Sequence, residues 1–203
     1  MPRLPRQFYE SSTLRVAPEL LGHFLVRKVK SQRSKVKRTI KTIITEVEAY
    51  VGEGDPACHA ARGRTERNKV MYGRAGHAYI YFIYGMYHCL NVVTEKSGFP
   101  AAVLVRGVVP IKSKVKNQKS KVFHRPLDGP GKLCRELKIT KKLNGADLVL
   151  GRELWIEKNP DRRFFLRHHK IKKTPRIGIR EGLDKKWRWV VCPKKGVSLS
   201  RGK

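Results

Sequence analysis

Acidic side chains are scarce in this sequence. It has 46 Lys and Arg against 16 Asp and Glu, which leaves a formal charge of +30 on 203 residues. Charge of one sign opposes compaction by self-repulsion. The imbalance also does not fit the interleaved two-sign networks of a thermophile exterior. It suits work against a polyanion, where each phosphate contact releases a counterion, and nucleic acid is the expected partner. Cysteine is sparse as well: Cys58, Cys89, Cys134 and Cys192 stand far apart with no Cys-x-x-Cys pair. That spacing offers neither a zinc pattern nor a disulfide framework, and reduced, mostly buried thiols are expected. No apolar run is long enough to span a bilayer, and MPRLPRQFYE lacks the apolar core of a secretion signal. The expectation is an intracellular protein without a membrane partner, cytoplasmic if bacterial and nuclear if eukaryotic. No repeat and no linker-like interior stretch is found, so residues 1–203 read as one domain, with 1–11 as a flexible arm.

Along the chain, TLRVAPELL (13–21) has helical spacing, Thr13 as N-cap and Gly22 as stop, with Pro18 awkwardly inside. His23 to Val29 reads as a strand, Lys28 to Lys41 as a basic hairpin or loop, and Thr42 to Val51 as strand again. Residues 52–76 form a long irregular loop, a type of segment usually kept for function. AYIYFIYGMYHCLNVV is a hairpin whose Gly85-Met86 suits a type II′ turn. AAVLVRGVV is a buried strand, 111–125 a basic loop, and DGPGKLCRELKI a turn into a helix with Pro130 near its start. ELWIE, RIGI and WRWVV supply short strands. The fold class is α+β: a compact domain with a mixed, largely antiparallel curved sheet and short helices.

The few acids are concentrated. Glu46, Glu48, Glu53 and Asp55 fall within ten residues, and strand alternation puts Glu46, Glu48 and Tyr50 on one face. A carboxylate near DNA weakens binding by repulsion, so it must serve catalysis or an ion pair. For Glu46 the ion pair is the favoured reading; for Glu48 both stay open. Tyrosines concentrate too, with Tyr50, Tyr72, Tyr79, Tyr81, Tyr84 and Tyr87 making six of the seven. Core packing explains some of them, Phe82 and one of Tyr84 or Tyr87 above all. Aromatic faces can also hold a base, at about 1–3 kcal/mol per stacked base. An exposed tyrosine at a hairpin tip suits wedging between base pairs.

TEVEAYVGEGDPACHAARGRTERNKVMYG, GHAYIYFIYGMYHCLNVV and AAVLVRG, with LLGHFLVRK, GPGKLCRELKIT, PRIGI, WRW and VSLS in order, resemble the alkyladenine (3-methyladenine) DNA glycosylase family from about Leu14 to Ser200. The resemblance implies excision of alkylated or deaminated purines from double-stranded DNA, namely 3-methyladenine, 7-methylguanine, hypoxanthine or ethenoadenine. It implies that Glu48 prepares the attacking water, with Arg106 near that water and the target's phosphate. Tyr50, His59 and Tyr81 would line the flipped-base pocket, and Asn91 would oppose the amino group of normal guanine. Tyr84, with Met86 beside it, would enter the duplex from the protruding hairpin. Where the family usually has Arg-Ala and then Glu-Pro, this chain has Arg106-Gly107 and Val109-Pro110. Tyr87 stands where many bacterial relatives carry His.

No cofactor is expected, and His59, His77 and His88 lack partners for a metal. Only Lys69 borders the acid–tyrosine cluster, which favours a monofunctional, monomeric enzyme over one with an amine nucleophile. Two rivals remain at this level. A binding module would not need Glu48, and a metal-dependent nuclease would use the acid cluster and cut strands.

Overall fold

A computed structural model describes residues 1–30, 37–111 and 125–194. Two short helices, α1 (Arg6–Tyr9) and α2 (Thr13–Leu20), precede the long antiparallel pair β1 (Phe24–Lys30) and β2 (Lys37–Val51). After the irregular 52–76 segment come β3 (Ala78–Ile83), β4 (Tyr87–Val93) and β5 (Ala101–Pro110). The short β6 (Leu127–Asp128) leads into α3 (Pro130–Glu136), followed by β7 (Leu154–Glu157), α4 (Arg162–Arg167), β8 (His169–Thr174) and β9 (Arg188–Pro193).

The strands form one sheet in the order β3-β4-β5-β2-β1-β7, with β6 on β5, β9 on β2 and β8 on β9. Every pairing among the described strands is antiparallel, so the sheet is not mixed. β2 is the spine. One of its edges pairs with β5, while the other is shared end to end by β1 (residues 37–43) and β9 (residues 46–48). Its register against β5 shifts on both sides of Glu46, an irregularity of the kind that bends a strand and re-aims its side chains. Gly107 permits this: a Cβ there would lie 2.9 Å from the Cβ of Glu46.

Several local expectations are corrected. Ser12, not Thr13, holds the N-cap position of α2, and no side chain caps it locally. The Glu95 carboxylate instead accepts from Thr13 N (2.9 Å) and Thr13 Oγ1 (2.6 Å). Pro18 stays inside the helix, and Gly22 ends it at φ 82°. Residues 1–11 are not a free arm: Leu4 and Tyr9 are buried, and Arg6 pairs with Asp147 at 2.5 Å. β2 begins at Lys37 rather than Thr42, which makes the basic segment a hairpin whose residues 31–36 lie outside the described chain. Residues 112–124 of the basic 111–125 loop also lie outside it. RIGI is a bend rather than a strand. Cys58, Cys89 and Cys134 are buried, all four cysteines are free, and no helix among the described residues is long and apolar enough to cross a membrane.

Candidate active site

Glu48 sits on β2 just past the bend and is fully buried, at 0 % exposure. Its hydrogen-bond partners among the described residues are all donors. Ile177 N donates to Oε1 at 2.8 Å and the Tyr50 hydroxyl donates to Oε2 at 2.9 Å. Arg106 approaches both oxygens, Nε to Oε1 at 3.4 Å and Nη1 to Oε2 at 3.5 Å. Burial raises its pKa; Arg106, the Ile177 amide and the Tyr50 hydroxyl work against that rise, and Glu46 adds to it. The result is a desolvated carboxylate, a stronger base than one in water, that is still offered partners for its ionised form.

Strand parity holds at the neighbouring acid. Glu46 Oε1 accepts from Arg188 Nε at 2.7 Å and Arg106 Nε at 3.1 Å, so Glu46 is the ion-paired acid. The two glutamates and two arginines form a charge-balanced square across β2, β5 and β9. Asp55 and Glu53 take separate partners, Arg176 and the Tyr72 hydroxyl respectively. The acid cluster is therefore dispersed among individual donors.

Tyr50, His59, Tyr81 and Asn91 all line a single cavity of about 110 Å³, together with Tyr79, Met71 and Gly178. The His59 ring stands edge-on to Tyr81 with centroids 4.4 Å apart. Its Nδ1 lies 2.9 Å from the Tyr79 hydroxyl. Although part of His59 remains open to solvent, the protein packed round the ring and, secondarily, Arg67 lower its pKa to about 4. The ring is neutral at pH 7. Burial raises the pKa of the Tyr79 phenol to about 12, with Arg67 working against the rise. With the phenol donating to Nδ1, the neutral ring would carry its proton on Nε2, as a donor. Asn91 is buried and donates from Nδ2 to Tyr79 O at 3.1 Å, so its amide oxygen is the group left to face a ligand.

A wider cavity of about 450 Å³ adjoins this one, sharing Tyr50, Tyr81, Ile83 and Gly178 and adding Arg106, Ile177, Tyr84 and Tyr87. Glu48 lies behind its wall, touched by three of the wall residues. The cavity reaches the β3–β4 tip, where Tyr84 is 76 % and Met86 64 % exposed. The turn differs from the type II′ expectation. Met86 N donates to Ile83 O, and the two central residues, Tyr84 (φ 53°) and Gly85 (φ 65°), are both left-handed, as in a type I′ turn. Phe82 and Tyr87 are also exposed, so none of Phe82, Tyr84 and Tyr87 belongs to the core. Tyr87 packs beside Gly131 at the start of α3, where a Cβ would come within 2.8 Å of its ring.

Residue reasoning missed Arg176, Asp55, Ile177 and Arg188 as parts of this site. Asp55 was visible only as one of four clustered acids, and Arg176 and Ile177 only inside PRIGI. Arg176 is buried, pairs in bidentate fashion with Asp55 (2.5 and 2.8 Å) and donates to Ala49 O at 3.0 Å.

An aromatic-lined cavity thus lies next to a buried carboxylate and below an aromatic hairpin tip on a strongly basic chain. The Methylpurine-DNA glycosylase (MPG) family model matches residues 7–195. A Methanocella arvoryzae protein named as a 3-methyladenine DNA glycosylase is 48 % identical over 183 residues, 88 % of this chain and 86 % of its own length. Relatives carrying the same name from Wolbachia pipientis subsp. Culex pipiens (47 % over 193 residues; 93 % and 90 % covered) and Sodalis glossinidius (46 % over 186 residues; 92 % and 95 %) are similar throughout. The chain belongs to the methylpurine-DNA glycosylase family; it is a DNA-repair glycosylase and its substrate is DNA.

Proposed function

We propose that this glycosylase takes alkylated or deaminated purines of the 3-methyladenine, 7-methylguanine, hypoxanthine and ethenoadenine class from duplex DNA and hydrolyses the N-glycosidic bond with Glu48 as general base. The observation that carries the reading is the environment of Glu48: a fully buried carboxylate whose hydrogen-bond partners among the described residues all donate to it, one side chain behind a cavity that aromatic rings line.

Water entering between Tyr50 and Arg106 gives its proton to Glu48 while its oxygen bonds to C1′ of the deoxyribose. The C1′–N bond breaks and its electron pair leaves with the base. Positive charge develops on the sugar as the base departs, and the nearby carboxylate stabilises it. A ring-alkylated purine is already cationic and leaves as a neutral molecule. Neutral lesions also suit the pocket, because Tyr50 and Tyr81 already have guanidinium groups against their rings, Arg176 at 4.9 Å and Arg67 at 5.6 Å. Those cations weaken the rings' pull on a second cation. His59 Nε2–H offers a hydrogen bond to a base acceptor. The Asn91 amide oxygen is the group that would oppose, or tell apart, exocyclic substituents. Tyr84 fills the gap left in the stack, and Met86 flanks it.

The reaction is monofunctional and the enzyme works as a monomer. Lys132 is the only lysine among the described residues lining either cavity, and its Nζ pairs with Asp128 at 2.9 Å. Single-turnover base release from duplexes carrying each of the four lesions tests the proposal. Glu48→Gln should lower the rate by about 10²- to 10⁴-fold, the usual worth of a general base. Strands should stay intact until alkali is added, with or without chelator. A Glu48→Gln enzyme near wild-type speed would overturn the role of Glu48, and breaks without alkali would overturn the absence of a lyase step.

A further inference from the structure

The Arg176–Asp55 pair is fully buried on both sides, and it lies beside the catalytic residues rather than among them. Taking two charges out of water is costly unless their geometry and hydrogen bonds are nearly complete. Here they are. Asp55 Oδ2 also accepts Val51 N (3.1 Å) and Oδ1 accepts Ala57 N (3.2 Å), which ties the turn after β2 to the pair. Arg176 Nη1 reaches Ala49 O on β2 itself, and Nη2 completes the fork to Asp55. Its Nε has no polar partner among the described residues, and the guanidinium lies against the rings of Tyr50 (4.9 Å) and Trp187 (5.2 Å). Gly182 makes room for it, since a Cβ there would lie 2.9 Å from Nη2. The residue that follows, Ile177, gives its amide to Glu48 at 2.8 Å, and Ile177 and Gly178 line the wider cavity.

We propose that Arg176 is a positioning residue of the glycosylase reaction: locked on Asp55 and Ala49, it holds the Ile177 amide against Glu48 and braces the Tyr50 ring at the base pocket. One buried ion pair thereby sets the geometry of the general base and of the wall the base stacks on. This rests on Glu48 being the general base. The other groups facing Glu48 are Arg106 from β5, Arg188 from β9, Glu46 and Tyr50 on β2, and the Cys89 thiol from β4. Arg176→Lys leaves Arg106, Arg188, Glu46 and Cys89 in place and keeps a cation, but it cannot reproduce the fork that braces Tyr50 and holds Ile177.

A loosened Ile177 amide no longer favours the ionised carboxylate, so Glu48 should titrate at higher pH. Single-turnover release of hypoxanthine from duplex DNA across pH 5–9 reads this directly. In Arg176→Lys the midpoint of the acid limb should rise by about one pH unit, the worth of one hydrogen bond to a charged group. The rate below that midpoint should fall about tenfold. Asp55→Asn should move the limb the same way and stands in if Arg176→Lys does not fold. Arg6→Lys, which disturbs the remote Arg6–Asp147 pair, should lower the melting temperature and leave the limb in place. An unmoved limb in the folded Arg176→Lys or Asp55→Asn enzyme overturns the proposal, as does an equal shift in Arg6→Lys. Failure of the underlying reading looks different: the wild-type profile would then lack an acid limb, or Glu48→Gln would keep it.

Discussion

Replacing Tyr84 separates what its backbone costs from what its ring contributes. Tyr84 holds φ 53° at the hairpin tip, a left-handed conformation that costs a non-glycine residue about 1 kcal/mol. Its side chain is 76 % exposed, so truncation by itself removes little packing. Tyr84→Ala keeps the backbone strain and Tyr84→Gly releases it. The glycine variant should therefore be more stable than the alanine variant by about 1 kcal/mol, or about 2–4 °C in Tm for a chain of this length. Both lose the ring proposed to occupy the emptied stack, a role worth about 1–3 kcal/mol. Both should bind a duplex carrying a non-hydrolysable flipped-base analogue about 5- to 150-fold more weakly, with far smaller losses on undamaged duplex. Thermal melts and competition binding provide the two readouts. An alanine variant as stable as the glycine variant would refute the strain argument. Equal losses on damaged and undamaged DNA would refute the wedge.

The two neighbouring glutamates should separate under the same chemistry. Glu46→Gln should lower Tm, because Arg106 and Arg188 lose a shared partner, yet slow base release much less than Glu48→Gln. A reversed order would exchange the two assignments. His23 Nδ1 accepts the Asn159 amide at 3.1 Å, and burial, followed by Arg162 and Lys158, lowers its pKa from 6.5 to about 4. With the folded value below the unfolded one, its contribution to stability is complete above pH 6.5 and is lost as pH falls toward 4. His23→Gln should flatten the stability profile in that window, and an unchanged slope in denaturant titrations would contradict this. The +30 charge predicts that DNA affinity falls linearly on a log–log salt plot by about 0.9 for each phosphate neutralised; a flat plot would assign the charge to something else.

Part of the site could be read from residue type and local spacing, and part only from the family resemblance. Period-two alternation placed Glu46, Glu48 and Tyr50 on one face because a strand enforces it, and the square around Arg106 bears that out. The family resemblance, rather than spacing, picked out Tyr50, His59, Tyr81 and Asn91 as pocket residues, and all four lie round one cavity. The turn at Tyr84-Gly85 was misplaced by one residue. Glycine alone tolerates a left-handed φ without cost, so local propensity pointed to Gly85 as the first central residue; the Met86 N to Ile83 O bond closes the turn with Tyr84 in that position instead.

Chain composition and periodicity by themselves determined the α+β class, the basic surface, the scarcity of acids and the side of β2 that Glu48 occupies. Each depends on residue identity and near neighbours. Only the tertiary structure decided that Glu48 is held by an amide 129 residues away, that Arg176 reaches Asp55 across 121 residues, and that Glu95 caps α2 from 82 residues downstream. Backbone amides look alike in every sequence, and an arginine in a chain with 46 basic residues carries no label for its partner. The choice of partner comes from burial: once β2, β5 and β9 exclude water from the few carboxylates, each must find donors within reach, and the fold determines which donors those are.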